Sequence, residues 1–163
     1  MESPSARTDG DPANELATRL DYRAVVPDLY QAQLGVDRAI RKTGFDPKLL
    51  ELVRVRASQI NRCAVCLHVH TRKAIEFGET PHRLMVLPGW RDSPEFSSRE
   101  RAALAWAEAI TLVAQAGISD PLYRAVREHF SENEVVVLTW TVASINAWNR
   151  MYIGFRILPE DSP

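Results

Sequence analysis

The sequence predicts a single-domain, all-α helical bundle of about seven helices. Three features carry that prediction. Apolar residues recur at helical spacing in several segments. Two segments open with the capping-box pattern, Ser97-x-x-Glu100 and Ser131-x-x-Glu134. No run elsewhere alternates convincingly as a strand does.

The chain has 163 residues, enough for one domain to bury a core without disulfide staples. Hydrophobic residues make up 45% and charged residues 25%, as in ordinary globular domains. The formal net charge is −1, so no overall field favours nucleic acid or an anionic membrane. No stretch approaches the roughly 18 uninterrupted apolar residues of a membrane span. The first 16 residues are rich in Ser, Asp, Pro and Ala and lack the basic-then-apolar order of a secretory signal. They predict a flexible N-terminal arm over 1–16, a helical domain over 17–160, and a cytoplasmic location.

In order along the chain, Pro27 opens the first predicted helix, with Leu29, Leu34, Val36 and Ile40 as its apolar positions and Gly44 as its stop. Asp46 and Pro47 read as N-cap and first residue of the second. Its run "KLLELVRVRASQI" is apolar with small Ala57 among the large residues. A third helix runs from about Arg62 to Phe77, stopping at Gly78. Thr80-Pro81 opens a short fourth that ends near Pro88-Gly89. The fifth starts at Ser97 and is expected to reach Gly117; Asp120-Pro121 opens the sixth. The seventh follows Ser131. "VVVLTWTV" alone favours a strand, but the capping box and the long continuation to Gly154 favour a helix. This segment is apolar on most sides, so it is expected at the centre or at a subunit interface. Trp140, Trp148 and Tyr152 along it, and Trp106 on the fifth helix, read as core.

The chemistry concentrates in "CAVCLHVH", residues 63–70, which holds both cysteines and two of the four histidines. With about 100° per residue, Cys66 lies roughly −60° and His70 roughly −20° from Cys63, while His68 falls roughly 140° away. Cys63, Cys66 and His70 therefore share a stripe that excludes His68. A close pair of thiols in a reducing compartment is catalytic or metal-binding more often than structural. A helix N-terminus and the adjoining Arg62 favour thiolate, the nucleophilic form. His70 is one turn beyond Cys66, where a base can act directly or through water. A carboxylate would hold that histidine's second nitrogen. Glu51, twelve residues before Cys63, is the nearest acid upstream, and adjacent packed helices would bring the two together. Its bland reading is a solvated acid paired with Arg54.

The spacing Glu51, eleven residues, Cys63, two residues, Cys66, three residues, His70 resembles the AhpD-like alkylhydroperoxidases of the carboxymuconolactone decarboxylase-like family. The likeness extends through "LPGWRDSPEFSSRERAALAWAEAIT" and "INAWNR", covering about residues 20–156. It implies an all-helical fold assembled as a homo-oligomer, a trimer or hexamer. It implies a peroxidase in which Cys66 attacks the hydroperoxide, Cys63 resolves it as a disulfide, and His70 and Glu51 relay protons. Electrons would come from an external dithiol, lipoyl or thioredoxin-like, with no cofactor and no metal. Some members carry a histidine immediately before the second cysteine; here that position is Val65. The decarboxylase branch normally lacks the cysteine pair.

The competing reading is a non-enzymatic module, either a zinc site or a redox-sensing interaction protein. Zinc would need four ligands, with Glu51 or His68 completing Cys63, Cys66 and His70. His82 and His129 read as surface residues. Asn146 and Asn149 are expected to satisfy backbone or subunit contacts.

Overall fold

The computed structural model describes residues 17–159; the expected arm over 1–16 lies outside them. Among the described residues the chain forms nine α-helices, one 3-10 turn and no strand. They are α1 Tyr22–Val25, α2 Pro27–Lys42, α3 Pro47–Asn61, α4 Ala64–Glu76, α5 Pro81–Val86, the 3-10 turn Leu87–Gly89, α6 Ser98–Thr111, α7 Val113–Ala116, α8 Asp120–Arg127 and α9 Glu132–Phe155. None is long and apolar enough to cross a membrane.

The predicted caps form. Asp46 accepts from the Lys48 amide at 2.9 Å and starts α3 ahead of Pro47. Both capping boxes close: Ser97 with Glu100, and Ser131 with Glu134. The second box starts a single 24-residue helix, so "VVVLTWTV" is helical.

Two extra helices raise the count from seven to nine. Asp21 caps the single turn α1, accepting from the Arg23 amide. Val26 then leaves the helical region (φ −135°, ψ 72°), because a residue before proline is driven from it. The helix expected over 97–117 breaks at Leu112 (φ −102°, ψ 20°). That position lies between β-branched Thr111 and Val113, which lose rotamer freedom in a helix.

Two long helices, α3 and α9, form the centre. α3 packs on α4, α6 and α9, while α9 also covers α2. Leu49 through Val55 are all buried, so α3 is enclosed on most sides. Burying its apolar side chains stabilises the fold by about 25 cal/mol per Å² of apolar surface. Two charged residues, Glu51 and Arg54, lie inside it.

Two apolar positions differ from the sequence expectation. Trp140 is 56% exposed and Leu29 70% exposed. Each helix turns its partner-facing stripe inward: Ile40 on α2, and Leu138, Val142 and Ile145 on α9. Trp140 and Leu29 fall on the outer faces. Trp106 and Trp148 are buried as expected.

Candidate active site

The site is built at the corner between α3 and α4. α3 ends at Asn61, and Arg62 takes the left-handed conformation (φ 59°, ψ 39°). That reversal lets α4 start at once, with Cys63 as its N-cap. The Cys63 amide bonds back to the Ser58 carbonyl at 3.1 Å, sealing the turn. Cys63 Sγ accepts from the Cys66 amide at 3.3 Å, the contact a capping serine oxygen would make.

Three asparagines clamp this corner to α9. Asn61 Nδ2 donates to Asn146 Oδ1 at 2.8 Å and to Asn149 Oδ1 at 2.7 Å. Asn149 Nδ2 donates to Ser58 Oγ at 3.2 Å, and Asn146 Nδ2 donates to Thr111 Oγ1 at 3.1 Å. Asn146 also bonds the Val142 carbonyl. Both α9 asparagines thus mainly satisfy side chains of other helices within the chain. The sequence named these two residues but not Asn61, whose signal was its place directly before Arg62-Cys63.

Cys63 and Cys66 are joined as a disulfide with a Cα–Cα separation of 5.3 Å, inside the usual range for such a bond. Each is only 1% exposed. Val65 is buried beside them, while His68 is exposed on the outer face of α4.

One turn beyond Cys66, His70 Nδ1 lies 2.6 Å from Glu51 Oε2. The other carboxylate oxygen of Glu51, Oε1, accepts from Arg54 Nη1, also at 2.6 Å. Glu51 therefore has the Arg54 partner of its bland reading and the His70 partner of its functional one. Arg54 Nη2 lies 3.8 Å from Asp37 Oδ1. Asp37 in turn accepts from Ser144 Oγ and from Trp148 Nε1, each at 2.7 Å. A buried polar chain thus runs from α4 through α3 and α2 to α9. Sequence reasoning missed Asp37; an acid amid the apolar positions of α2 was the only signal for it.

Burial works to raise the Glu51 carboxyl, but hydrogen bonds and charge from His70 and Arg54 outweigh it and hold the group below its ordinary value. Burial dominates at His70 and lowers it, with Arg54 and Lys73 adding to the effect and Glu51 opposing it. The consistent state at neutral pH is an ionised Glu51 accepting from Nδ1–H of a neutral His70. Nε2 then carries the lone pair, which makes it the basic nitrogen.

A zinc site has poor material here. Both Glu51 oxygens are occupied, and His68 is exposed on the outer face. Among the described residues, no group of three or more His, Cys, Asp or Glu side chains is placed to hold a metal.

A helical fold with a buried C-x-x-C pair at a helix start defines a class that the comparisons identify. Residues 27–109 match the carboxymuconolactone decarboxylase family, and the chain belongs to it. It is 33% identical over 139 residues to the uncharacterized protein YdfG of Bacillus subtilis, covering 85% of this chain and 95% of that one. A crystal structure from Agrobacterium tumefaciens superposes with a TM-score of 0.85 at 32% identity, covering 90% of this chain and 99% of that one. That protein is of unknown function, and its name links it to the antioxidant defence protein AhpD. The debrominase Bmp8 shares the fold at 21% identity and a TM-score of 0.70, covering 81% of this chain and 71% of its own.

Proposed function

We propose that this chain is a cysteine-based hydroperoxide reductase, within the wider class of thiol–disulfide oxidoreductases. One observation supports this reading above the others: the 2.6 Å Glu51–His70 contact one turn beyond a C-x-x-C pair at a helix start. Charge from the helix N-terminus favours a thiolate there, and neutral His70 is a base for generating it.

In the proposed cycle His70 takes the Cys66 proton. The thiolate attacks one peroxide oxygen, the O–O bond breaks, and the alcohol leaves with the proton returned. Cys66 is now a sulfenic acid. The Cys63 thiol displaces its oxygen as water, and the Cys63–Cys66 disulfide forms. An external dithiol, lipoyl or thioredoxin-like, then reduces the disulfide and is itself oxidised. Val65 contributes no proton, so His70 is the only imidazole of the relay. A homo-oligomer belongs to the same reading on the family likeness, and a cytoplasmic location on the sequence expectation.

The test is intact mass before and after one equivalent of an organic hydroperoxide. The reduced wild type should lose two hydrogens. Cys66→Ser should show no turnover, and Cys63→Ser should accumulate a sulfenic acid that overoxidises. Wild-type turnover in either variant would remove these roles.

A further inference from the structure

The buried polar chain that ends at His70 contains an acid that the proposed cycle does not use. Asp37 lies on α2, and both its carboxylate oxygens are fixed from α9. Oδ1 accepts from Ser144 Oγ and Oδ2 from Trp148 Nε1, each at 2.7 Å. Gln33 Nε2 donates to Ser144 Oγ at 2.8 Å, which leaves the hydroxyl proton for Asp37.

Arg54 is a buried cation between two carboxylates, Glu51 and Asp37. Its Nη1 donates to Glu51 Oε1, whereas Nη2 makes no hydrogen bond and has Asp37 Oδ1 at 3.8 Å. Arg54 therefore divides its charge between the acid that orients His70 and an acid on another helix. Without Asp37 the whole cation would act on Glu51 and His70. Burial lowers the His70 pKa most, and the Arg54 charge already lowers it further. The other charges facing His70 are Glu51 on α3 and Lys73 on α4 itself. From α9, which also packs on α4, Arg150 turns back to the Asn146 carbonyl. The Tyr152 phenol on the same helix is raised, by burial first and by Tyr30 and Asp37 in addition, so it stays neutral.

We propose that Asp37 is a positioning residue of this site: by anchoring and offsetting Arg54, it keeps the Glu51–His70 pair able to draw a proton from Cys66. The inference rests on the reductase reading and adds a residue from a third helix to its relay. Asp37 touches neither the cysteines nor the peroxide. It acts through Arg54, and Ser144 and Trp148 hold it in place.

The experiment reads His70 directly. With the disulfide intact no thiol titrates, and the His70 ring nitrogens are followed by 15N NMR against pH, assigned by their loss in His70→Ala. Asp37→Asn keeps the size and removes the charge. It should move the His70 titration to lower pH by about half a unit or more, the order expected for one unit charge in a partly buried setting. Asp37→Glu should restore the wild-type value. Asp37→Ser removes the same charge, with room for water, should the asparagine variant misfold. In the reduced protein the pH limb of iodoacetamide alkylation should move with His70. An unmoved His70 titration in a folded, charge-removed variant overturns the assignment. An equal shift in Asp37→Glu also overturns it, because packing and not charge is then the cause. So does a shifted His70 with an unshifted alkylation limb. If His70 and the alkylation limb move as expected but wild type turns over no hydroperoxide, the reductase reading fails alone and the coupling of Asp37 to the His70–thiol pair stands.

Discussion

Glu51 and His70 are 19 residues apart in the chain and 2.6 Å apart in space, on two helices joined by two residues, the left-handed Arg62 and the N-cap Cys63. The contact is bought by placing a carboxylate in the most enclosed helix of the fold. Arg54, on the opposite carboxylate oxygen, makes that placement tolerable.

Removal of Glu51 should therefore be felt as folding stability as well as catalysis. Glu51→Ala leaves the Arg54 guanidinium buried, with only Asp37 nearby at 3.8 Å. Breaking one side of a buried ionic arrangement costs about 3–5 kcal/mol. Urea unfolding of the reduced protein should show a loss of that order. A loss below about 1 kcal/mol, the scale of a surface pair, would mean that Glu51 is not holding Arg54.

The pH dependence follows from His70. Its folded pKa lies below the ordinary 6.5, so the folded state disfavours the imidazolium. Stability from this group is complete above pH 6.5 and declines as pH falls below it. Glu51, lowered from 4.5, loses its contribution in the same direction at more acid pH. Wild type should lose stability on acidification from pH 6.5, and His70→Ala should follow a flatter curve. Thiol alkylation by iodoacetamide should also slow as pH drops through the His70 titration, and His70→Ala should lack that limb. Parallel curves for the two proteins would contradict the assignment.

Cys63 has a structural part besides the redox role proposed for it. Its sulfur caps α4 by accepting from the Cys66 amide. In the reduced protein Cys63→Ser should keep that cap, whereas Cys63→Ala should cost about 1 kcal/mol more. Thermal unfolding under reducing conditions reads the difference; equal midpoints would show that the cap carries no weight.

Arg62 is held at φ 59°, where a side chain costs about 1–2 kcal/mol relative to the ordinary helical region. Arg62→Gly should relieve that cost, partly offset by the greater freedom of glycine in the unfolded chain, for a net gain of up to about 1 kcal/mol. The same change removes a cation next to the cysteines, so the reactive thiol should titrate at higher pH. Greater stability with an unshifted alkylation profile would leave Arg62 as a turn residue only.

The helices were legible because their ends are written locally. Asp46-Pro47, Ser97 with Glu100, and Ser131 with Glu134 are each decided within four residues. Glu51, Cys63, Cys66 and His70 were legible because all lie within 20 residues on two consecutive helices. Asp37 and Asn61 were harder: their partners, Arg54, Ser144, Trp148, Asn146 and Asn149, are determined by how α2 and α3 pack on α9. Leu29 and Trp140 were misjudged for a related reason. Helical spacing identifies a stripe, but only the neighbouring helices decide which stripe faces inward. The break at Leu112 also escaped, since no Gly or Pro marks it.

At 1% exposure each, the two cysteines are out of contact with the bulk thiol pool. In this disulfide form a small reductant meets almost no exposed sulfur, so the bond should be reduced more slowly than one on the surface. If the proposed cycle holds, the oxidation state of this pair persists until a donor able to enter the site resets it. In that cycle the shape of the donor would matter more than the redox poise of its surroundings in determining how often it turns.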